Sequence, residues 1–242
     1  MSNLHWSKQY DQDLEEVRSK VLLMGGLVEE QFQKAVQALL EGDVQLADHV
    51  IATDAQVNQL EVALDNICAE LIVRRQPAAG DLRTVVSAIK VIADIERIGD
   101  EAIKVARAAK NLQTRNLLLL NQCQPVHTIV ETAMQMLRGA FDAYARLDKE
   151  QAVEVIALDD DLDREFHEMM RSLITYMMEE PRTISAVLDI LWAAKAIERI
   201  GDHATNICEF VVYIVEGDVI RHTDYAKRVL GVISDHDNAR PD

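Results

Sequence analysis

Apolar residues recur every three or four positions along most of this chain, and short polar breaks divide the pattern into six long helical segments. The first is expected over about Trp6 to Leu40, ending at Glu41-Gly42-Asp43, where glycine can close a helix and Asp43 can cap the next. The second runs from about Val44 to Val73, and Pro77 and Gly80 break the pattern. Asp81 offers a cap for a third segment reaching about Leu112. A polar stretch ending near Pro125 marks a seam, after which helices over Val126 to Leu147, Glu150 to Met178 and Pro181 to Glu216 repeat the rhythm.

The third and sixth segments carry the same six letters. Ile95-Glu96-Arg97-Ile98-Gly99-Asp100 recurs as Ile197-Glu198-Arg199-Ile200-Gly201-Asp202, a separation of 102, with Val85 facing Val187 and Ala102 facing Ala204. Asp43 and Asp148, Asp54 and Asp159, and Asn58 and Asp163 correspond at a separation of 105, the difference being absorbed in one connecting loop. A repeat of this kind decides the fold before any single element does. The expected class is all-α, with two three-helix bundles in tandem over residues 1–115 and 116–217 and a short polar tail over 218–242. Segments of about thirty residues span roughly 45 Å, a length suited to rods lying side by side.

Composition agrees with helices and narrows the partners. The chain of 242 residues is 49% hydrophobic but only 5% aromatic, poor in the residues that strands favour. No apolar run reaches the ~18 residues of a membrane span, so a cytoplasmic protein without direct membrane insertion is expected. A formal charge of −16 argues against nucleic acid and favours metal ions and basic protein surfaces. Cys68, Cys123 and Cys208 form no C-x-x-C pair and read as reduced thiols.

On a helical projection with Ile95 at zero, Ala88, Val91, Ile98, Ala102 and Val105 form one sector, the core face. Glu96 and Asp100 fall about 100° and 140° away, on a flank that Val85 and Ile89 keep apolar upstream. Glu198 and Asp202 take the same places in the second copy, where Asn206 extends the row. Carboxylates four apart repel one another on a helix, and a hard or borderline cation would remove that repulsion. Glu96, Asp100, Glu198, Asp202 and Asn206 are therefore the candidate metal ligands, weighed against ordinary surface ion pairs with Arg97, Lys104, Lys195 and Arg199. The acidic groups of the second helix in each half, including Asp54, Glu61, Asp159 and Asp163, read more simply as solvated faces or caps. No G-x-S-x-G, H-E-x-x-H, Walker A or G-x-G-x-x-G motif occurs, and no organic cofactor or catalytic residue is expected.

At these residues the chain resembles the PhoU family of bacterial phosphate-signalling regulators. The likeness runs through Arg74 to Ala79, Asp81-Leu82-Arg83, both hexamers, Pro181 to Ile184, Leu191 to Ala194 and Asn206 to Glu209. It implies a negative regulator of the phosphate-starvation response that couples a high-affinity phosphate ABC transporter, through its ATPase, to a sensor histidine kinase. It also implies a location peripheral to membrane complexes and iron or zinc on the acidic faces, with manganese or magnesium as alternatives. Lys104 stands in the first copy where the second has Asn206, which would weaken the first site. A homodimer is expected as well. The other readings are a metal-independent helical scaffold and a carboxylate-bridged metallohydrolase.

Overall fold

A computed structural model describes residues 3–77, 79–112 and 124–217, and all regular structure among them is helical. The first bundle comprises α1 (Asn3–Glu41), α2 (Val44–Arg75) and α3 (Ala79–Asn111). The second comprises α4 (Gln124–Arg146), α5 (Lys149–Ala157), α6 (Asp159–Glu179) and α7 (Ile184–Glu216), with a 3-10 turn over Pro181–Thr183 before α7. The expected six helices are present as two three-helix bundles, the fifth being interrupted once. The inferred seam around residues 113–123 and the tail after Gly217 lie outside the described residues.

Local chemistry sets the boundaries. Gly42 adopts φ 69° after α1, and the Asp43 side chain accepts a hydrogen bond of 2.9 Å from the Leu46 amide, capping α2. Asp148 repeats the arrangement on Gln151 at 3.1 Å, after Leu147 turns the chain at φ 50°. Helix α3 begins at Ala79, so Asp81 sits inside the first turn, where its charge favours the helix dipole, rather than capping it. The fifth helix, expected to run unbroken, divides at Leu158, whose amide donates to the Val155 carbonyl at 3.1 Å. Asp159, Asp160 and Asp161 follow at once, residues poor in a helix interior and favourable in a first turn.

Each bundle closes on its own apolar faces. Met24, Phe32, Leu39, Leu64, Ile92, Ile95 and Ile98 are fully buried in the first, and Ile129, Met136 and Leu137 in the second. Each such side chain contributes about 1.5–3 kcal/mol by leaving water. Cys68 and Cys208 are free and buried, and burial pushes the Cys68 thiol up to about 11 and Cys208 higher still, as suits inert core thiols.

The two bundles join mainly through α3 and α7, which pack on each other more extensively than any other pair. Asp94 meets His203 and Asn206 while Glu101 meets Arg199, so the helices run antiparallel and cross at the repeated hexamers. Ile98 and Ile200 lie buried at that crossing. Arg138 bonds Glu29 at 2.7 Å, and the Arg83 guanidinium lies 5.7 Å from the centre of the Tyr213 ring, adding ties at the periphery.

Candidate functional site

Each bundle carries one acidic cluster, built from its third helix and the facing helix that precedes it. In the first, Glu96 and Asp100 of α3 stand against Asp54 and Glu61 of α2. Partial burial, then the charges of Asp100, Glu61 and Asp54, hold the Glu96 carboxyl above the usual range, with Arg97 opposing. Burial followed by Asp65 and Asp100 does the same to Glu61. Asn58 donates to Asp54 at 3.0 Å.

In the second cluster Glu198 and Asp202 of α7 face Asp159 and Asp163 of α6. Thr205 donates to Asp159 at 3.1 Å, yet burial still raises the Asp159 carboxyl. Partial burial, then Glu198 and Asp159, push Asp202 up to about 6, with Lys195 opposing. The aspartates of the second helices, which the sequence presents as solvated faces or caps, are thus part of the cluster. Only packing shows which flank of α2 or α6 faces the motif.

Asp202 makes stability depend on pH. Its folded-state pKa lies above its ordinary 3.8, so its contribution favours folding below that value and is lost as pH rises through about 6. Its side chain is at a solvent-exposed edge, where water and salt screen much of the effect. Asp202→Asn should therefore stabilise the chain at pH 8 by about 1 kcal/mol, with a gain of a few degrees in Tm that vanishes below pH 4. Thermal unfolding followed by circular dichroism at both pH values checks it, and a constant offset at all pH values would assign the effect elsewhere.

The expected metal site is corrected by this geometry. Among the described residues, no three His, Cys, Asp or Glu side chains come together in a group fit to hold an ion, whether iron, zinc, manganese or magnesium. Both carboxylate oxygens of Glu198 are taken by Lys195 Nζ at 2.5 Å. Asn206, expected to extend the row, instead donates to Asp94 of α3 at 3.2 Å. His167 meets the backbone carbonyl of Asp163 at 2.7 Å, not its carboxylate. Four-residue spacing places these groups side by side along a helix without making them converge.

The sequence reading missed the buried polar seam between the bundles. Asp94 and Glu101 are almost wholly buried, Asp94 3.0 Å from His203 Nδ1 and Glu101 2.7 Å from Lys104 and 3.5 Å from Arg199. A signal was available: the repeat places Ala196 opposite Asp94 and His203 opposite Glu101, breaking identity where the copies meet.

Fold and site together define a duplicated helical-bundle protein presenting two acidic flanks. The PhoU domain matches residues 21–109 and 126–211, and the chain belongs to the PhoU family. It is 48% identical over 218 residues to the phosphate-specific transport system accessory protein PhoU homolog of Pseudomonas putida, covering 90% of this chain and 85% of the relative. The crystal structure of PhoU from Pseudomonas aeruginosa superposes with a TM-score of 0.80 at 46% identity, covering 86% of this chain and 100% of that one. The phosphate transport system regulatory protein PhoU from Streptococcus pneumoniae gives 0.79 at 27% identity, over 87% of this chain and 98% of that one. Among the described residues no helix is long and apolar enough to cross a membrane.

Proposed function

We propose that this chain is a negative regulator of the phosphate-starvation response, an adaptor that couples a high-affinity phosphate transporter ATPase to a sensor histidine kinase. The observation that carries the reading is the acidic flank, built twice on the third helix of a fold shared with phosphate-transport accessory proteins. Glu96, Asp100 and Asp202 present the docking surface, with Glu198 buried behind Lys195, and a basic patch on a partner would offset the mutual repulsion that adds to burial in raising Glu96 and Asp202. Complementary charge of this kind steers encounter and sets orientation more than it adds affinity. The protein works at the cytoplasmic face of membrane complexes through its partners. The same reading keeps the homodimer and the units 1–115 and 116–217, the latter supported by the two matched stretches.

The test is Asp163→Lys with Asp202→Lys, two exposed charges of the second cluster, in cells deprived of the native chain. Expression of a phosphate-starvation reporter in phosphate-rich medium should rise about tenfold or more, while circular dichroism of the purified variant shows an intact fold. Full repression by the charge-reversed protein would discard the docking role of the flank.

A further inference from the structure

The second bundle has an exposed apolar stripe that the first carries only in reduced form. On α7, Ile184, Leu188 and Trp192 succeed one another at four-residue spacing and are all exposed, Trp192 at 70%. On α6, Ile174 and Met178 are exposed as well, Met178 at 79%. The two helices run antiparallel through the Pro181–Thr183 turn, and Phe166 of α6 meets Lys195 of α7 at 5.3 Å, so Ile174 and Met178 lie beside Leu188 and Ile184. Isolated exposed apolar residues need no explanation, whereas a contiguous patch marks an interaction site.

The stripe does not end in solvent. At 100° per residue, Lys195, Arg199 and Asp202 continue the line of Ile184, Leu188 and Trp192 along α7. Lys195 closes the apolar zone, lying over the Phe166 ring while binding Glu198. The acidic cluster of Glu198, Asp202 and Asp159 begins there, about 15 Å along the helix from Trp192 to Asp202. The first bundle keeps the acidic cluster and, at the corresponding positions, exposed Val73 and Leu82, but the smaller Ala69 and Val86 and the charged Lys90 shorten the apolar stripe there. Lys90 there lies 5.4 Å from the centre of the Phe210 ring, where its counterpart Trp192 stands open.

We propose that the α6–α7 face of the second bundle binds an amphipathic helix of a partner protein, with apolar side chains at one end and a Lys/Arg cluster about 15 Å further along. Two adjacent antiparallel helices present a groove that a third helix fills, and the acidic end fixes which way round it lies. Charge complementarity selects a basic partner at this face, because Asp159, Asp163 and Asp202 crowd its end with negative charge that only a cationic segment would offset. The inference deepens the adaptor reading above and rests on its premise that the second acidic cluster is a docking surface.

Trp6→Phe leaves Trp192 as the sole tryptophan and a direct reporter. The probe is a synthetic helical peptide of about 18 residues, with leucines spaced three and four apart at one end and arginines beginning about ten residues on. A second peptide of the same composition has the two sets interspersed. The segregated peptide should shift Trp192 emission to the blue with saturation and bind at least about tenfold more tightly than the interspersed one. Leu188→Ser with Met178→Ser, and separately Asp163→Lys with Asp202→Lys, should each weaken it about tenfold or more; all four side chains are exposed, so the core stays intact. Equal binding of both peptides, or unchanged binding to either double variant, overturns the proposal. So does a concentration-dependent dimer, seen by sedimentation without peptide, that the serine pair abolishes, since the face would then belong to a second copy. In the cell reporter both double variants should derepress. Derepression by the charge reversal alone removes this inference and leaves the adaptor reading standing, and derepression by neither removes the adaptor reading.

Discussion

Asp94→Ala should lower the unfolding free energy by about 3 kcal/mol, measured by urea denaturation at pH 7. The Asp94 side chain is 4% exposed and sits between the bundles, with His203 Nδ1 at 3.0 Å, Asn206 Nδ2 at 3.2 Å and Arg97 at 3.6 Å. Alanine would leave the His203 and Asn206 groups half-buried without their acceptor, and orphaned groups of this kind cost about 1–3 kcal/mol each. Asp94→Asn keeps a carbonyl oxygen in the same place and loses only the charge, so its cost should be about 1 kcal/mol. The contrast separates a polar seam from mere volume. Equal losses for the two variants, or a loss under 0.5 kcal/mol for alanine, would show that the seam contributes little to joining the bundles.

The two glycines of the identical hexamers should respond unequally to substitution by alanine. A Cβ at Gly201 would lie 2.1 Å from Leu162 Cδ2 and 3.4 Å from Met136 Sδ, and both partners are buried core residues. Overpacking of that degree outweighs the roughly 1 kcal/mol that alanine returns as a better helix former, and Gly201→Ala should cost about 2 kcal/mol. At Gly99 the nearest atom to a new Cβ is Gln31 Oε1 at 3.3 Å, with Asp54 Oδ1 and Val57 Cγ1 at 3.6 Å. Gly99→Ala should therefore stay within about 0.5 kcal/mol of the parent, the helix gain offsetting a slight adjustment of Gln31. Thermal and urea unfolding of both variants decides the matter. Similar losses at the two sites would mean that glycine serves the hexamer itself rather than its surroundings.

Much of this architecture was legible in the chain. Asp43 announced its cap because an aspartate just ahead of a periodic apolar run suits that place, and Asp148, its counterpart in the repeat, makes the same bond, whereas Asp81 falls inside the first turn of α3. The break at Leu158 was less legible, since the apolar period continues through it and only the run of three aspartates hints at a new helix start. The acidic flanks were placed correctly on α3 and α7, but ligand geometry was read into them. Side chains four apart are neighbours on any helix, and whether they converge depends on what competes for them. Lys195 takes Glu198, and Asp94 takes Asn206.

The sequence by itself determined the periodicity, the Asp43 cap, the duplication and the presence of a carboxylate row on each repeated helix, because each follows from spacing along the chain. Tertiary structure alone decided the contacts between segments. It brought Asp54 and Asp159 to the motifs, buried Asp94 and Glu101 where the copies meet, and filled the space beside Gly201 but not beside Gly99. Identical hexamers acquire different surroundings because a helix dictates the directions of its own side chains, whereas the residues opposite come from other helices whose sequences have diverged.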